Sequence, residues 1–338
     1  MTTPTSPPPF TPARFALLLA LGLLASSGAF WLSMQRHLPR DASYGTQALP
    51  GLAGRLTEVD RVRLIAADRT TVTLTRRDGH FVVEERAGFA ADPTRVHALL
   101  AALADLKIAE RHPVARSQWA ARGPEPGTRI DLSGRLPARS LVVGAPVGPE
   151  NVWLRVGEDD EVLEAGPALS VDAHPGYWLR KRLIDIAPDD VVRIEYGPPA
   201  SALVIERGER GAPFARRGPA APATTQASLA QLQPTLLRAL DVQDVRAARG
   251  SPAMLRTVVE TYAGLHVECH GYAEGSQRWL RLTVRHVPAA GAGAQDSERA
   301  REVAERLAAA SAGFDLQIAP TRFAELFIDL AAAPELRP

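Results

Sequence analysis

The chain has 338 residues and a formal charge of +1, with 39 basic residues set against 38 acidic ones. This balance excludes a strong electrostatic pull toward nucleic acid or anionic lipid. The single cysteine, Cys269, excludes an intrachain disulfide, and the only lysines, Lys107 and Lys181, sit in no glycine-rich phosphate-binding loop, which argues against an ATPase.

The chain opens with a short, proline-rich stub, residues 1–14, that is too polar and too small to fold. An uncharged apolar run follows, FALLLALGLLASSGAFWLSM at 15–34. As a helix it reaches roughly 30 Å, the thickness of a bilayer's hydrocarbon core. Phe15, Leu18, Leu21, Leu24, Phe30 and Trp31 are its expected anchor residues, and Trp31 suits the interfacial belt. Ser27-Gly28-Ala29 resembles a signal-peptidase site, but the apolar run continues past it, so a retained anchor is favoured over a cleaved signal. Arg14 precedes the run while Arg36 and Arg40 follow it, so charge alone does not set the orientation. The stub reads as cytoplasmic and the body as periplasmic. Residues 35–57 read as a polar linker that lifts the body off the bilayer.

A first α+β unit is expected over 58–188. Val62, Leu64 and Val72-Thr73-Leu74 alternate as strands do, Arg77-Asp78-Gly79-His80 carries a hairpin signal, and Phe81-Val82-Val83 is the return strand. Asp92 and Pro93 form a helix start. The apolar face of that helix is Val96, Leu99, Leu100, Leu103 and Leu106, and His112 follows the helix, close to its C-terminal end. Strands are expected at Arg129–Leu132, Ser140–Val143, Val152–Val156 and Glu161–Glu164. The same order recurs about 130 residues later, giving a second unit over 189–338. Asp189–Ile194 echoes Val59–Leu64, Leu203-Val204-Ile205 echoes the Val72 strand, and Leu236–Leu240 echoes the Leu99–Leu103 helix. Arg256–Tyr262, Leu265–Cys269 and Trp279–Val284 echo the later strands. An inserted helix capped by Ser297 runs to Ala310, and a strand and a short helix close the chain. The expected fold is therefore a membrane helix followed by two tandem units, each an antiparallel sheet with an amphipathic helix on one face.

Motif order carries a resemblance. TLTRRDGHFVV (73–83), ADPTRVHALLAALADLKIAE (91–110), ARGPEPGTRIDL (121–132), SLVVGAPVGPENVWLRVGEDDEVLEAG (140–166) and YWLRKRLIDIAPDDVVRIEY (177–196) together resemble the bacterial family called domain of unknown function 4340. The resemblance is close over 58–196 and looser beyond. It rests on hydrophobic and turn positions and supplies no catalytic residue or cofactor. Members of that family are commonly encoded beside ATP-binding-cassette transporter subunits similar to those associated with gliding motility. The resemblance thus implies a membrane-anchored accessory component partnered with permease or ATPase subunits, with an enzyme or ligand-binding protein of the cell envelope as the alternative.

Candidate chemistry is sparse. His266, Glu268 and His270 would share one strand face and form a weak zinc-like set, against the plainer reading of a solvated strand face. Cys269 and His270, as neighbours on a strand, point oppositely. The pairs Glu84-Glu85, Asp159-Asp160 and Asp189-Asp190 read as turn and junction acids, and no nucleophile elbow is present. Tyr177, Trp178, Arg180, Lys181 and Arg182 place aromatics beside three cations, a possible partner contact weighed against core packing with the cations reaching outward.

Overall fold

The computed structural model describes residues 44–113, 116–123, 125–157, 161–217, 234–250, 255–289 and 291–328. The stub, the expected membrane helix with its anchor residues Phe15 to Trp31, and the start of the linker lie outside these. Among the described residues no helix is long and apolar enough to cross a membrane.

The described chain is α+β and sheet-rich. The first half supplies nine strands: β1 (Val59–Ile65), β2 (Thr71–Arg77), β3 (His80–Val83), β4 (Phe89–Ala90), β5 (Lys107–Pro113), β6 (Thr128–Gly134), β7 (Arg139–Val147), β8 (Asn151–Val156) and β9 (Glu161–Gly166). They form one antiparallel sheet in the order β4-β3-β2-β1-β6-β7-β8-β9-β5. Asp78 and Gly79, both with positive φ, turn β2 into β3 as the Asp-Gly pair demands. Helix α1 (Pro93–Asp105) starts where Asp92 accepts hydrogen bonds from the amides of Thr94 and Arg95, and it buries Val96, Leu99, Leu100, Leu103 and Ala104. It stops at Leu106, earlier than its apolar spacing suggests. The chain then becomes β5 and crosses to the far edge of the sheet.

A junction strand, β10 (Arg182–Ile184), leads to the second half: β11 (Val191–Tyr196), β12 (Leu203–Glu206), β13 (Ala215–Arg216), β14 (Leu240–Asp241), β15 (Asp244–Ala247), β16 (Leu255–Thr261), β17 (Leu265–Glu274), β18 (Gln277–His286) and β19 (Phe314–Gln317). β10 pairs with β14, and the rest form an antiparallel sheet in the order β13-β12-β11-β16-β17-β18-β19-β15. Apart from β4, this is the strand order of the first sheet. In each half, the strand that precedes the central hairpins ends at the far edge.

Local detail repeats as well. The pairing of β1 with β6 is bulged between Val59 and Arg61, and that of β11 with β16 between Val191 and Arg193. In both places an arginine donates to the carbonyl at the bulge: Arg76 Nε to Val59 O at 3.2 Å and Arg207 Nε to Val191 O at 2.8 Å. Each guanidinium lies over a phenylalanine ring, Arg76 on Phe81 at 4.6 Å and Arg207 on Phe214 at 4.7 Å.

Three expectations are corrected. Residues 44–57 are not a free linker. Gly45 and Ala48 donate to the carbonyls of Ile108 and Leu106, and Leu49 and Leu52 are 1% exposed, so the segment covers the edge at β5. The stretch Leu236–Leu240 is a 3₁₀ turn (Pro234–Leu237) followed by β14, because Ala239 takes a left-handed conformation that ends any helix there. The inserted helix, α3 (Ala294–Ser311), begins ahead of Ser297, with Gly293 at its N-cap; Ser297 Oγ lies 3.1 Å from His286 Nε2 instead. A short helix between β5 and β6, α2 (Trp119–Arg122), and a last one, α4 (Pro320–Leu326), complete the fold.

One contiguous apolar core runs through both sheets. Phe89 meets Phe314 edge-on at 5.2 Å across the halves, and Arg86 pairs with Asp244. A second, small apolar cluster forms on the opposite face of the first sheet, where Trp119 packs on Val162 and Trp153.

Candidate functional site

The segment 177–182 is structural for the most part. Trp178 is 2% exposed, and its indole donates to Asp172 O at 2.8 Å. The Arg180 amide donates to Ala90 O, and the Lys181 carbonyl accepts from the Val242 amide, so the backbone here stitches the halves together. Only Tyr177 and the cationic side chains face outward. Tyr177 lies under Arg95 at 4.3 Å, and Arg182 pairs with Asp241 at 2.5 Å. The expected cluster of aromatics and cations is thereby divided, with Trp178 inside and the cations outside.

His266, Glu268 and His270 do share one face of β17, but arginines hold that face. His266 Nδ1 lies 3.2 Å from Glu260 and its Nε2 lies 3.0 Å from Arg285. Glu268 accepts from Arg256 at 2.5 Å, and His270 lies 3.3 Å from Glu268. Burial raises the Glu268 pKa, but the Arg256 hydrogen bond and the nearby positive charges outweigh it and hold the carboxyl below its ordinary value. With both His266 nitrogens engaged, the three do not converge on one point. Cys269, on the opposite face, is wholly buried, and burial together with Glu268 pushes its thiol up to about 12. His97 is exposed on α1.

The site that does converge is elsewhere, on the outer face of the first sheet. β5 carries a bulge between Ile108 and Glu110. Before the bulge, Ile108 faces the core opposite Ala165. After it, Glu110 stands opposite Glu164 and His112 opposite Val162, on the outer face. One ligand atom each from Glu110, His112 and Glu164 lie within 4.8 Å of one another. His112 Nε2 is 3.9 Å from Glu110 and 3.8 Å from Glu164, too long for a hydrogen bond, and it is buried with no hydrogen-bond partner. Glu164 is oriented by Asn151 Nδ2 at 2.7 Å. The Trp153 ring stands edge-on to His112 at 5.1 Å, and Arg155 stacks on Trp119 at 4.6 Å. Sequence reasoning placed His112 just beyond a helix and missed this cluster. The available signal was the two-residue alternation of Glu110 and His112 after the apolar pair Leu106 and Ile108.

The profile of the family described as Domain of unknown function (DUF4340) matches residues 82–257, just over half of the chain. The chain belongs to this family. The matched span runs from β3 to β16, so it holds the Glu110, His112 and Glu164 cluster, the junction and the start of the second sheet. No curated protein and no solved structure matches the chain.

Proposed function

We propose that this member of the DUF4340 family is a non-enzymatic accessory or scaffold subunit, anchored by residues 15–34 in the bacterial inner membrane with its body on the periplasmic side. The observation that carries the reading is the single core shared by both sheets. A clamshell binding protein needs a hinge and a cleft between its halves. Here Phe89, Phe314, Trp178 and the β10–β14 pair fill that space, which suits a rigid spacer or docking body. The apolar run 15–34 is uncharged and long enough to span a bilayer. Tethering confines the body to a plane and raises its effective concentration near membrane partners. The family resemblance points to the permease and ATPase subunits of an ATP-binding-cassette transporter as those partners.

The test is a gentle-detergent pull-down of the full chain from its native membrane, run beside a version lacking residues 1–35. Recovery of a transporter permease or ATPase with the full chain alone supports the reading. A full chain that leaves the membrane as a free monomer overturns it. The second reading, a ligand-binding protein or enzyme of the cell envelope, is favoured by one observation, the convergence of Glu110, His112 and Glu164.

A further inference from the structure

We propose that Glu110, His112 and Glu164 form a binding site for a first-row divalent metal, with zinc the best fit. The first ground is charge. Glu110 and Glu164 are direct cross-strand partners, an arrangement that repels and destabilises a sheet unless a cation lies between. Among the described residues, neither carboxylate has an arginine or lysine within ion-pair distance; the one basic group near both is the His112 ring. Arg111, the nearest arginine in sequence, lies on the other face and pairs with Glu161. Arg155, on the same outer face, is directed to the Trp119 ring and to Gly157 O, to which it donates at 2.8 Å.

The second ground is geometry. His112 Nε2 is buried and without a partner, and it is aimed between two carboxylates that stand 3.8 and 3.9 Å away. Zinc takes nitrogen and oxygen ligands at about 2.0–2.2 Å, which in a tetrahedron separates the ligand atoms by roughly 3.4 Å. A contraction of about half an ångström brings each carboxylate to that spacing from His112, and the three ligand atoms already lie within 4.8 Å of one another. Three protein ligands leave one position for water or another ligand. The outer shell is present too, since Asn151 holds Glu164 in orientation and Trp153 flanks the imidazole. The composition of imidazole plus carboxylate suits zinc or manganese rather than a soft-metal site.

The experiment uses the untagged full chain in detergent, titrated with Zn²⁺ alone and, separately, with Co²⁺ alone. One Zn²⁺ per chain is expected, with visible ligand-field absorption for Co²⁺. Glu110 is 64% exposed, so E110Q disturbs no packing. This variant should weaken binding by more than the roughly 10–100-fold loss that follows removal of an outer-shell partner, and should abolish the cobalt spectrum. H112A and E164Q should do the same, while the double variant H266A/H270A should bind as the unaltered chain does. The proposal is overturned by a chain that takes up no stoichiometric Zn²⁺. It is overturned equally if binding survives E110Q at full strength, or if the H266A/H270A change removes it.

Discussion

The two sheets end in the same three strands yet treat charge there in opposite ways. In the second sheet, β15, β19 and β18 bring Arg246, Asp315, Trp279 and Arg281 to the outer face. Asp315, with no exposed side chain, accepts from Arg281 at 2.7 Å, from the Arg249 amide at 3.0 Å and from Tyr272. Arg246 stacks on Trp279 at 3.8 Å and pairs with Glu274 at 2.5 Å. In the first sheet, β5, β9 and β8 occupy the same positions. By cross-strand partner, Trp153 stands where Trp279 stands, Val162 takes the place of Asp315, and His112 takes that of Arg246. One end is a closed ion network and the other is an open, cation-deficient cluster. A duplicated framework has kept its backbone plan and its tryptophan while one copy spent the position on stability and the other left ligands without a partner.

The largest effect should come from the closed end. Asp315→Ala leaves Arg281 and Arg246 facing an empty, buried position and should destabilise the fold by about 3–5 kcal/mol, read as a lower urea midpoint. The pH response follows. Burial pushes the Asp315 carboxyl upward, but the hydrogen bonds from Tyr272, Arg249 and Arg281 together outweigh it, so its folded value lies below the ordinary one. Its contribution is therefore complete above the unfolded value, about 3.9, and fades as pH falls through the lower folded value. The stability gap between the unaltered chain and Asp315→Asn should narrow below about pH 4. A constant gap from neutral pH down to acid would remove charge from the explanation.

The bulge arginines give the next contrast. The Arg207 side chain is 4% exposed and also donates to Pro188 O at 2.5 Å, whereas Arg76 is 28% exposed. Arg207→Ala should cost about 2–3 kcal/mol, while Arg76→Ala should cost about 1 kcal/mol. Equal losses, measured by thermal unfolding, would mean that the two bulges bear on stability through their backbone alone.

Much of this plan was legible in the sequence because its determinants are local. Asp78-Gly79 dictates a turn, Asp92-Pro93 a helix start, and alternating apolar residues mark β1, β2 and β6–β9. The strand β5 was not legible. Leu103, Leu106 and Ile108 continue a near-helical spacing, and only the long-range pairing with β9 and residues 45–48 makes that segment extended. The Glu110, His112 and Glu164 cluster was hidden for the same reason: alternation could have marked Glu110 and His112 as one strand face, but the bulge that turns them outward and the register that brings Glu164 opposite are long-range. His266, Glu268 and His270 show the reverse. Their shared face was readable from alternation, but the arginines that occupy it come from neighbouring strands.

The open end should respond weakly in stability. Glu164→Gln removes one of two facing carboxylates and keeps the side chain's shape, so the metal-free fold should change by less than about 1 kcal/mol, and in the stabilising direction. Added Zn²⁺ should then raise the melting temperature of the unaltered chain and leave that of the variant in place. A strongly destabilised Glu164→Gln would make this end structural after all, like its counterpart at Asp315.

The smallest effect is expected at the junction, although its ion pair is well formed. Arg182 and Asp241 are each 53% exposed, and Arg182 also lies 3.9 Å from Asp185. Hydrogen bonding to Asp241 raises the Arg182 pKa, but a guanidinium is already charged throughout the working range, so that shift does not affect stability at neutral pH. Water and salt screen such a pair, and Arg182→Ala should leave the melting temperature indistinguishable from that of the unaltered chain. The halves are held by groups that water does not reach: Trp178, Leu179 and Leu240 in the core, and the backbone bonds from Arg180 to Ala90 and from Val242 to Lys181. If Arg182→Ala instead split unfolding into two transitions, the surface pair rather than the shared core would be what couples the two sheets.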